Sequence, residues 1–266
     1  MVRPVALRDT FDEAPELYDR VRPGYPEAVF EDLTTLARLR PGSRVLELGC
    51  GTGQATVPLA TRGFEVVAIE LGAGLAEVAR RNLAAFPEVD IVNAAFEEWP
   101  LPPASFDAVV AATSFHWLDA EVRLAKVADA LRSGGALAVI ATHHVAGGDG
   151  PFFAEVQHCY ETWMPWTAHG LRLPEASEVA HHDDDDFEAN GLFTAAVFRR
   201  YERDLTYSTR EYRDLLLSYS GHRELASDAR EGLLACIGEL IDTRFGGRIA
   251  KRYMTELTVA YRRPPG

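Results

Sequence analysis

Three glycines at alternate positions, Gly49, Gly51 and Gly53, follow a short apolar run within residues 44–54. Glycine lets the backbone take positive φ angles and lets a ligand approach where a Cβ atom would obstruct it. The apolar run predicts a buried strand, and the residues after the glycines predict a helix over residues 54–62. A strand, a glycine turn and a helix N-terminus together form a cradle for a nucleotide, because free backbone N–H groups point at the ligand.

Glu47 places a carboxylate two residues before the first of these glycines. Dinucleotide-binding folds use the spacing G-x-G-x-x-G and seat a pyrophosphate on the helix end. Here the spacing is G-x-G-x-G, and Gln54 stands where the third glycine of that fingerprint would be. A carboxylate repels a pyrophosphate in a partly dry cleft, but it suits a ligand that carries an ammonium or a sulfonium.

The run Glu-Leu-Gly-Cys-Gly-Thr-Gly at residues 47–53 resembles the first motif of class I S-adenosylmethionine-dependent methyltransferases. This resemblance implies S-adenosylmethionine as the cofactor. It also implies that the cofactor is bound by residues of this run, namely Glu47, Gly49, Cys50, Gly51 and Gly53.

A second carboxylate follows the next predicted strand. Val66, Val67 and Ile69 predict a buried strand that ends at Glu70, with Leu71 directly after it. A carboxylate at this place can bind both ribose hydroxyls of an adenosine. Because dehydrogenases use the same device, Glu70 and Leu71 indicate a nucleoside cofactor without choosing among cofactors.

Residues 89–92 predict a third strand, and Ala95, Phe96 and Glu97 come shortly after it. Many members of the family have an acidic residue where this chain has Ala95. Phe96 is expected to stack on adenine, while the backbone at residues 95–96 contacts the edge of the base. Glu97 either supplies the missing carboxylate or is a solvated residue at the start of a helix.

A polar and aromatic run follows the fourth predicted strand, Phe106–Ala112. It resembles the fourth motif of a methyltransferase subgroup that includes enzymes acting on small carboxylates such as trans-aconitate. The resemblance implies cofactor contacts from Thr113 and Ser114 and substrate contacts from Phe115, His116 and Trp117. His116 is either a base or hydrogen-bond donor to the acceptor, or a residue that orients the loop.

Residues 1–24 are polar and are predicted to be loop-like, before a helix that starts at residues 25–27. The pattern of Tyr18, Arg22, Tyr25 and the prolines near them resembles an N-terminal segment that folds over the cofactor in one methyltransferase subgroup. Tyr18 and Arg22 therefore either help to close the site, with Arg22 meeting the cofactor carboxylate, or they respectively pack on the first helix and face solvent.

A fifth strand is predicted over residues 136–141, and the five predicted strands alternate with helices. Residues 193–209 and 248–263 predict a final antiparallel pair, with helices over residues 210–219 and 228–243 between them. The sequence thus predicts an α/β fold with a doubly wound, mostly parallel seven-stranded sheet and an inserted lid, the Rossmann-like fold of class I methyltransferases. The predicted organisation is one domain, 1–266, divided into a cap and first helix at 1–40, a cofactor-binding core at 41–146, a lid at 147–192 and a C-terminal part at 193–266.

Polar groups fall just beyond the carboxyl ends of several predicted strands, which is where open α/β sheets bind ligands. His143, at the end of the fifth strand, is a further candidate for substrate binding, and His144 follows it.

The segment 147–192 is rich in aromatic residues, including Trp163 as a candidate substrate contact. Aromatic residues at helical spacing are more often core, but in an inserted segment they also suit a substrate lid. The run His-His-Asp-Asp-Asp-Asp at residues 181–186 is predicted to be a solvated loop, since consecutive residues rarely converge on one ion. No metal is expected.

Composition narrows the possible partners. With 40 acidic and 27 basic residues the formal net charge is −13, which disfavours a nucleic-acid substrate. Three widely spaced cysteines argue for a reducing compartment and against a disulfide framework or a structural zinc site. We see no apolar leader and no run of membrane length, so we expect a cytoplasmic monomer or homodimer that does not bind membranes.

The sequence therefore predicts an S-adenosylmethionine-dependent methyltransferase acting on a small molecule, and only the resemblance at residues 114–117 suggests a carboxylic acid as the acceptor. An NAD-dependent oxidoreductase is disfavoured by the glycine spacing, by Glu47 and by the lack of a Tyr-x-x-x-Lys pair. A non-catalytic module that binds the cofactor and regulates a partner is the other alternative.

Overall fold

The computed structural model describes residues 10–181 and 187–264. Its strands are β1 Arg44–Leu48, β2 Glu65–Glu70, β3 Val89–Asn93, β4 Phe106–Ala112, β5 Leu131–Gly148, β6 Val197–Ser208 and β7 Arg248–Tyr261. Within the described residues they form one seven-stranded sheet in the order β3-β2-β1-β4-β5-β7-β6. Strands β1 to β5 are parallel, and β7 is antiparallel to both β5 and β6. The predicted α/β fold with a doubly wound, mostly parallel seven-stranded sheet is confirmed, and the inserted lid remains a prediction.

The order of the strands in the sheet predicts the position of a ligand crevice independently of any sequence motif. The chain runs outward from β1 through β2 to β3 and then returns to the other side of β1 as β4. Ligands of open α/β sheets bind outside the carboxyl ends of the strands at this switch point. The loops after β1, β2 and β4 therefore meet at one edge of the sheet.

The helices flank the sheet on both faces. They are α1 Pro15–Val21, α2 Glu27–Leu36, α3 Thr56–Thr61, α4 Ala73–Asn82, α5 Arg123–Ala130, α6 Gly150–Glu155, α7 Gln157–Trp163, α8 Thr209–Leu217, α9 Ser220–Arg223 and α10 Ser227–Arg244. Short 3-10 helices span Thr10–Glu13, Phe115–Trp117 and Ala176–Glu178.

The prediction that residues 1–24 are loop-like is wrong where helix α1 forms. Pro15 stands in the first turn of α1, where its missing N–H costs no hydrogen bond. The helix has no fully buried residue, and it contacts both α4 and α8. Tertiary packing thus stabilises a helix too short and too polar to be recognised from its own periodicity.

Strand β5 is longer than the six residues predicted, because it begins at Leu131 and ends at Gly148. Strand β7 pairs with it continuously from Ala136 to His144, and a register shift follows before Gly148. Pairing with β7 gives the backbone N–H and C=O groups of β5 hydrogen-bond partners beyond the apolar residues of the strand. The strand therefore continues past its apolar segment. His143 and His144 consequently lie on an extended β-ribbon beyond the parallel part of the sheet.

Helices α6 to α10 cover this ribbon. From here on they are called the cap, which is a different part of the chain from the N-terminal cap predicted at residues 1–40. They share a hydrophobic cluster of their own, whose fully buried members include Phe152, Leu215, Leu233 and Ile237. Trp163 packs on α10, since a Cβ atom added to Gly232 would lie 2.4 Å from its ring. Most aromatic residues of segment 147–192 thus belong to a packed core, and the exposed Trp166 is an exception.

The expectation of no disulfide is wrong, because Cys159 of α7 is bonded to Cys236 of α10. The two cysteines are 77 residues apart in sequence, but the packing of α7 against α10 brings their Cα atoms to 5.8 Å. The pairing is a product of tertiary structure, which cysteine spacing alone does not reveal. The argument from cysteine usage to a reducing compartment therefore fails.

Replacing Cys159 and Cys236 together with serine is expected to destabilise the cap. A cross-link that closes a loop of 77 residues removes conformational freedom from the unfolded chain, worth about 4 kcal/mol. The loss is measured by comparing the thermal unfolding of the double variant with that of the unmodified protein. Thiol titration of the unmodified protein, denatured without reducing agent, should find one thiol, that of the buried Cys50. Three titratable thiols would contradict the bond.

Along the described ranges, no helix combines the length and the apolar character needed to cross a membrane. The same residues hold no cluster of three or more His, Cys, Asp or Glu side chains placed to bind a metal ion. Of the run at residues 181–186, the structure describes His181 alone, whose Nδ1 lies 2.9 Å from the buried Glu256 carboxylate. The remainder of that run lies outside the described residues.

Candidate functional site

A cavity of about 290 Å³ opens at the carboxyl ends of β1, β2 and β4, at the switch point of the sheet. It brings together most of the residues that the sequence assigned to a site. Those that line it are Tyr18, Arg22, Gly49, Gly51, Glu70, Leu71, Ala95, Phe96, Glu97, Thr113, Ser114, His116 and Trp117.

The glycine loop forms the floor of this cavity. Gly49, Gly51 and Gly53 have φ angles of +69°, +59° and +103°, which residues with a Cβ atom rarely adopt. A Cβ atom on Gly49 would lie 2.7 Å from the Cβ atom of Ser114. The loop after β1 can therefore pack directly against the loop after β4 only because glycine occupies this position.

Glu70 closes the end of β2 and is tied to the glycine loop. Its Oε2 atom accepts a hydrogen bond of 2.8 Å from the Gly51 N–H, and its Oε1 atom accepts one of 2.8 Å from the Gly72 N–H. Burial raises the pKa of Glu70, while these two backbone donors oppose the rise. A largely buried carboxylate is thus held at the cavity in a fixed orientation, with lone pairs left for a ligand.

The loop after β3 forms a second wall. Phe96 is buried, and the Lys126 ammonium lies 5.3 Å from its ring centroid. Lys126 also donates to the carbonyl oxygens of Glu97 and Trp99, at 2.9 and 2.8 Å. The Glu97 carboxylate accepts a bond of 3.1 Å from the Asp119 N–H. The Lys126 side chain therefore holds the backbone at Glu97, and the Asp119 N–H holds the Glu97 side chain, in the segment where the sequence predicts adenine contacts.

Thr113 and Ser114 form the third wall. Thr113 has a φ angle of +57°, and its hydroxyl lies 3.0 Å from that of Tyr25. The Ser114 hydroxyl donates to the carbonyl oxygen of Leu48, the last residue of β1. His116 and Trp117 come next, with ring centroids 4.8 Å apart. This wall is therefore cross-linked to β1 and presents a histidine and an indole to the cavity.

Arg22 lies between two aromatic rings at the mouth of the cavity. Its guanidinium carbon is 4.9 Å from the Tyr18 ring centroid and 4.5 Å from that of Tyr219. Its Nη2 atom donates a bond of 2.7 Å to the Ser218 carbonyl. The N-terminal segment thus contacts the cap through a cation that lines the cavity, which fits the first of the two alternatives for Tyr18 and Arg22.

The remaining predicted site residues are not among the cavity-lining residues in the described part of the chain: Glu47, Cys50, Gly53, Phe115, His143 and Trp163. Glu47, Cys50 and Phe115 are buried, and Glu47 lies within β1, where successive side chains point to opposite faces of the sheet. Gly53 adjoins Leu83 at the end of α4, and Trp163 packs against the hydrophobic cluster of the cap. Their contacts with a ligand remain predictions.

Sequence reasoning missed the contribution of the cap. Tyr219 and Ser220, at the junction of α8 and α9, line the cavity although they lie more than 160 residues after the glycine loop. No local motif marks them. Their place follows from the packing of the cap against α1, which periodicity within a single element does not predict.

Glu47 is the buried carboxylate beneath the glycine loop. Burial raises its pKa from 4.5 to about 7, the neighbouring Thr56 hydroxyl opposes this rise, and the charge of Glu70 adds to it. Because the folded state holds this proton more tightly than the unfolded state, Glu47 contributes stability below pH 4.5, and that contribution is lost as pH rises through 7.

Glu47→Gln is therefore expected to gain stability relative to the unmodified protein between pH 5 and pH 8, by about 3 kcal/mol at most. Urea unfolding of both proteins at several pH values measures the difference. Glu65→Gln, at the exposed start of β2, is the matched control and should show no such trend. A Glu47→Gln difference that stays flat with pH would contradict a raised pKa.

The comparisons with known proteins agree with this geometry. Residues 45–135, which span β1 to the start of β5, match the family model described as a methyltransferase domain. This segment is similar to a methyltransferase domain. It contains the glycine loop, Glu70 and the walls at residues 95–97 and 113–117, but neither α1 nor the cap.

Curated relatives extend the similarity. An uncharacterised methyltransferase of Mycobacterium bovis is 39% identical over 132 residues, which cover 49% of this chain and 51% of that protein. An uncharacterised methyltransferase of Schizosaccharomyces pombe is 26% identical over 228 residues, covering 85% of this chain and 84% of its own length. The chain spans about half the length of the first curated relatives it matches.

Among solved structures, phosphoethanolamine N-methyltransferase 2 of Haemonchus contortus has a TM-score of 0.56 at 16% identity, over 99% of this chain and 61% of that chain. That structure holds phosphomonomethylethanolamine and S-adenosylhomocysteine. At this identity the likeness concerns the fold. It extends the match beyond the family model to the whole seven-stranded sheet.

Proposed function

We propose that the protein is a class I S-adenosylmethionine-dependent methyltransferase that acts on a small-molecule acceptor bearing a carboxylate. The observation that carries the proposal is the junction of the glycine loop with Glu70 at the switch point, inside the segment that matches the methyltransferase family model. The loop and the carboxylate are the two parts that an adenosine cofactor needs, and they are joined by a direct hydrogen bond.

The residues present fit this cofactor. Gly49 lets the loops after β1 and β4 pack against each other, Gly51 donates its N–H to Glu70, and Glu70 offers a fixed carboxylate for two ribose hydroxyls. Glu47, buried in β1, is a second acidic group, and its contact with a cationic donor is part of this proposal. When bound, S-adenosylmethionine supplies an activated methyl group. The protein has to bind it, orient the acceptor in line and exclude water.

The proposal that the acceptor bears a carboxylate is based on the positive charge of Arg22. Arg22 is a cation that lines the cavity in a protein with a formal net charge of −13, so both the cofactor carboxylate and an acceptor carboxylate would be drawn to that end. A carboxylate acceptor needs no general base at neutral pH, because it is already ionised. The run at residues 114–117, which resembles that of small-carboxylate methyltransferases, adjoins the same cavity.

The test combines binding and turnover. Calorimetry should find that S-adenosylhomocysteine binds and that NAD does not. Incubation with methyl-labelled S-adenosylmethionine and a fractionated metabolite extract should move label into an acidic small molecule. Binding of NAD in preference would favour an oxidoreductase, and tight binding of S-adenosylhomocysteine without any transfer would favour the non-catalytic module.

His116 is proposed to contact the acceptor, since it lines the cavity beside Trp117. His116→Ala is expected to lower the transfer rate by about 10- to 100-fold if the imidazole is a base or a donor to the acceptor. Transfer rates measured at saturating cofactor, with circular dichroism to monitor the fold, show whether His116 acts on the acceptor. Unchanged turnover by a native-like variant would leave His116 only the role of orienting its loop.

A further inference from the structure

A buried lysine stands behind the cap wall of the cavity. Lys251, on β7, is 5% exposed, and its ammonium lies 5.7, 5.8 and 5.4 Å from the ring centroids of Phe153, Tyr212 and Tyr253. No carboxylate of the described ranges lies within ion-pair distance of it. Burial lowers the pKa of Lys251 to about 8, so the amine is still mostly protonated at neutral pH. A buried cation that has ring faces but no carboxylate as partners is costly and calls for an explanation.

The polar neighbour of this ammonium is His144. The Lys251 Nζ atom lies 3.5 Å from His144 Nδ1, and His144 Nε2 lies 3.5 Å from the Tyr219 hydroxyl. The His144 ring also meets the Tyr219 and Tyr253 rings edge-on, with centroids 5.8 and 5.4 Å apart. Three side chains from β7, β5 and the end of α8 thus form a chain that leads from the core to the cavity.

The position of each proton along this chain follows from which of the three side chains can donate and which can accept a hydrogen bond. A lysine ammonium donates and cannot accept, so His144 must present a lone pair at Nδ1. A histidine with a lone pair at one nitrogen carries its proton on the other. The Nε2–H group of His144 therefore donates to the Tyr219 oxygen. Burial, followed by the charges of Lys251 and Arg22, lowers the pKa of His144 to about 3, which agrees with a neutral ring.

We propose that Lys251 is a positioning residue that locks His144 in its Nε2–H tautomer, so that Tyr219 turns its own hydroxyl proton toward the cavity and donates it to the acceptor. The inference rests on the proposed function for the identity of the ligand, but not for the tautomer. It assigns acceptor recognition to the cap, outside the segment that matches the methyltransferase family model.

The surrounding charges favour an anionic acceptor group at this place. Arg22 lies 4.5 Å from the Tyr219 ring centroid on the cavity side, and Lys251 lies behind His144 on the core side. His222, which also feels the charge of Lys251, has a pKa lowered by burial and then by that charge to about 4. Among the residues that the structure describes, the cavity lining thus includes one cation, Arg22, together with the acidic groups Glu70 and Glu97 that are proposed to bind the cofactor.

The tautomer is measured directly by ¹⁵N NMR of protein labelled at histidine and kept at pH 7 with S-adenosylhomocysteine. The His144 signals are assigned by their loss in His144→Gln. The expected result is a neutral ring protonated at Nε2 in the unmodified protein and a shift toward the Nδ1–H tautomer in Lys251→Met. A proton on Nδ1 in the unmodified protein, or a doubly protonated ring, would overturn the proposal.

Activity and stability separate positioning from a structural role. Lys251→Met is expected to lower methyl transfer from labelled S-adenosylmethionine to the metabolite extract by roughly tenfold, with S-adenosylhomocysteine affinity unchanged. Its melting temperature should stay level or rise, because a desolvated charge is removed. Lys251→Arg keeps a donor-only cation and should restore the tautomer, and Arg248→Met, exposed on the same strand, controls for net charge.

Transfer by Lys251→Met equal to that of the unmodified protein would also overturn the proposal. Failure of the unmodified protein to bind S-adenosylhomocysteine would instead count against the proposed function, because the tautomer of His144 is decided by its own spectrum.

Discussion

Replacing Gly49 with alanine is expected to lower the affinity for S-adenosylhomocysteine by 100-fold or more, a loss of about 3 kcal/mol in binding free energy. The new Cβ atom would lie 2.7 Å from the Ser114 Cβ atom, so one of the two loops must move. The movement would displace the floor of the cavity and the Gly51 N–H group that holds the Glu70 carboxylate, although the sequence-based expectation of free N–H groups is wrong for Gly49, Gly51 and Gly53, whose N–H groups are bonded within the protein. Calorimetric titration of the folded variant measures the effect.

Gly42→Ala is the matched control for this substitution. Gly42 has a φ angle of +82°, comparable with +69° at Gly49, but a Cβ atom there would have no neighbour within 4 Å. Both variants pay the 1–2 kcal/mol that a left-handed conformation costs an L-residue. Only Gly49→Ala should lose cofactor affinity. Equal affinities in the two variants would show that close approach of the loops is not needed for binding.

Glu70→Gln is expected to weaken S-adenosylhomocysteine binding by about 100-fold or more. The amide keeps the size of the side chain but turns an N–H₂ group toward one of the two backbone donors, at Gly51 or Gly72. It also loses the charge-assisted bonds proposed to the ribose, which contribute about 1.5–3 kcal/mol each. The loop and the ligand are therefore both disturbed by the change of one atom.

Glu65→Gln on the same strand serves as the control, since Glu65 is exposed at the opposite end of β2. Calorimetry of both variants with S-adenosylhomocysteine, and with adenosine alone, shows whether the loss belongs to the nucleoside part of the ligand. A Glu70→Gln affinity within threefold of that of the unmodified protein would contradict the assigned role.

The parallel half of the fold could be predicted from sequence because its signals are local. Each buried strand is a short apolar run, and the polar residues that follow it, such as Glu70 and Thr113, fall at one edge of the sheet by the geometry of parallel strands. The glycine spacing adds a backbone requirement that the positive φ angles bear out. Most of the cavity lining followed from these two rules.

The cap half could not be predicted in the same way, because its contacts join residues far apart in sequence. Cys159 and Cys236 meet only when α7 packs on α10. Trp163 was predicted to contact substrate from its place in an aromatic segment, yet it lies against Gly232 within the cap. Tyr219 reaches the cavity because α8 packs against α1, a helix that the polar N-terminal sequence did not indicate.

The most direct test is a crystal structure of the protein with S-adenosylhomocysteine. We predict the ribose hydroxyls within hydrogen-bond distance of the Glu70 carboxylate, the adenine against residues 95–97, and the thioether sulfur directed toward His116 and Tyr219. A ligand bound elsewhere, with Glu70 still bonded to Gly51 and Gly72 but facing no ligand atom, would contradict the account of the site.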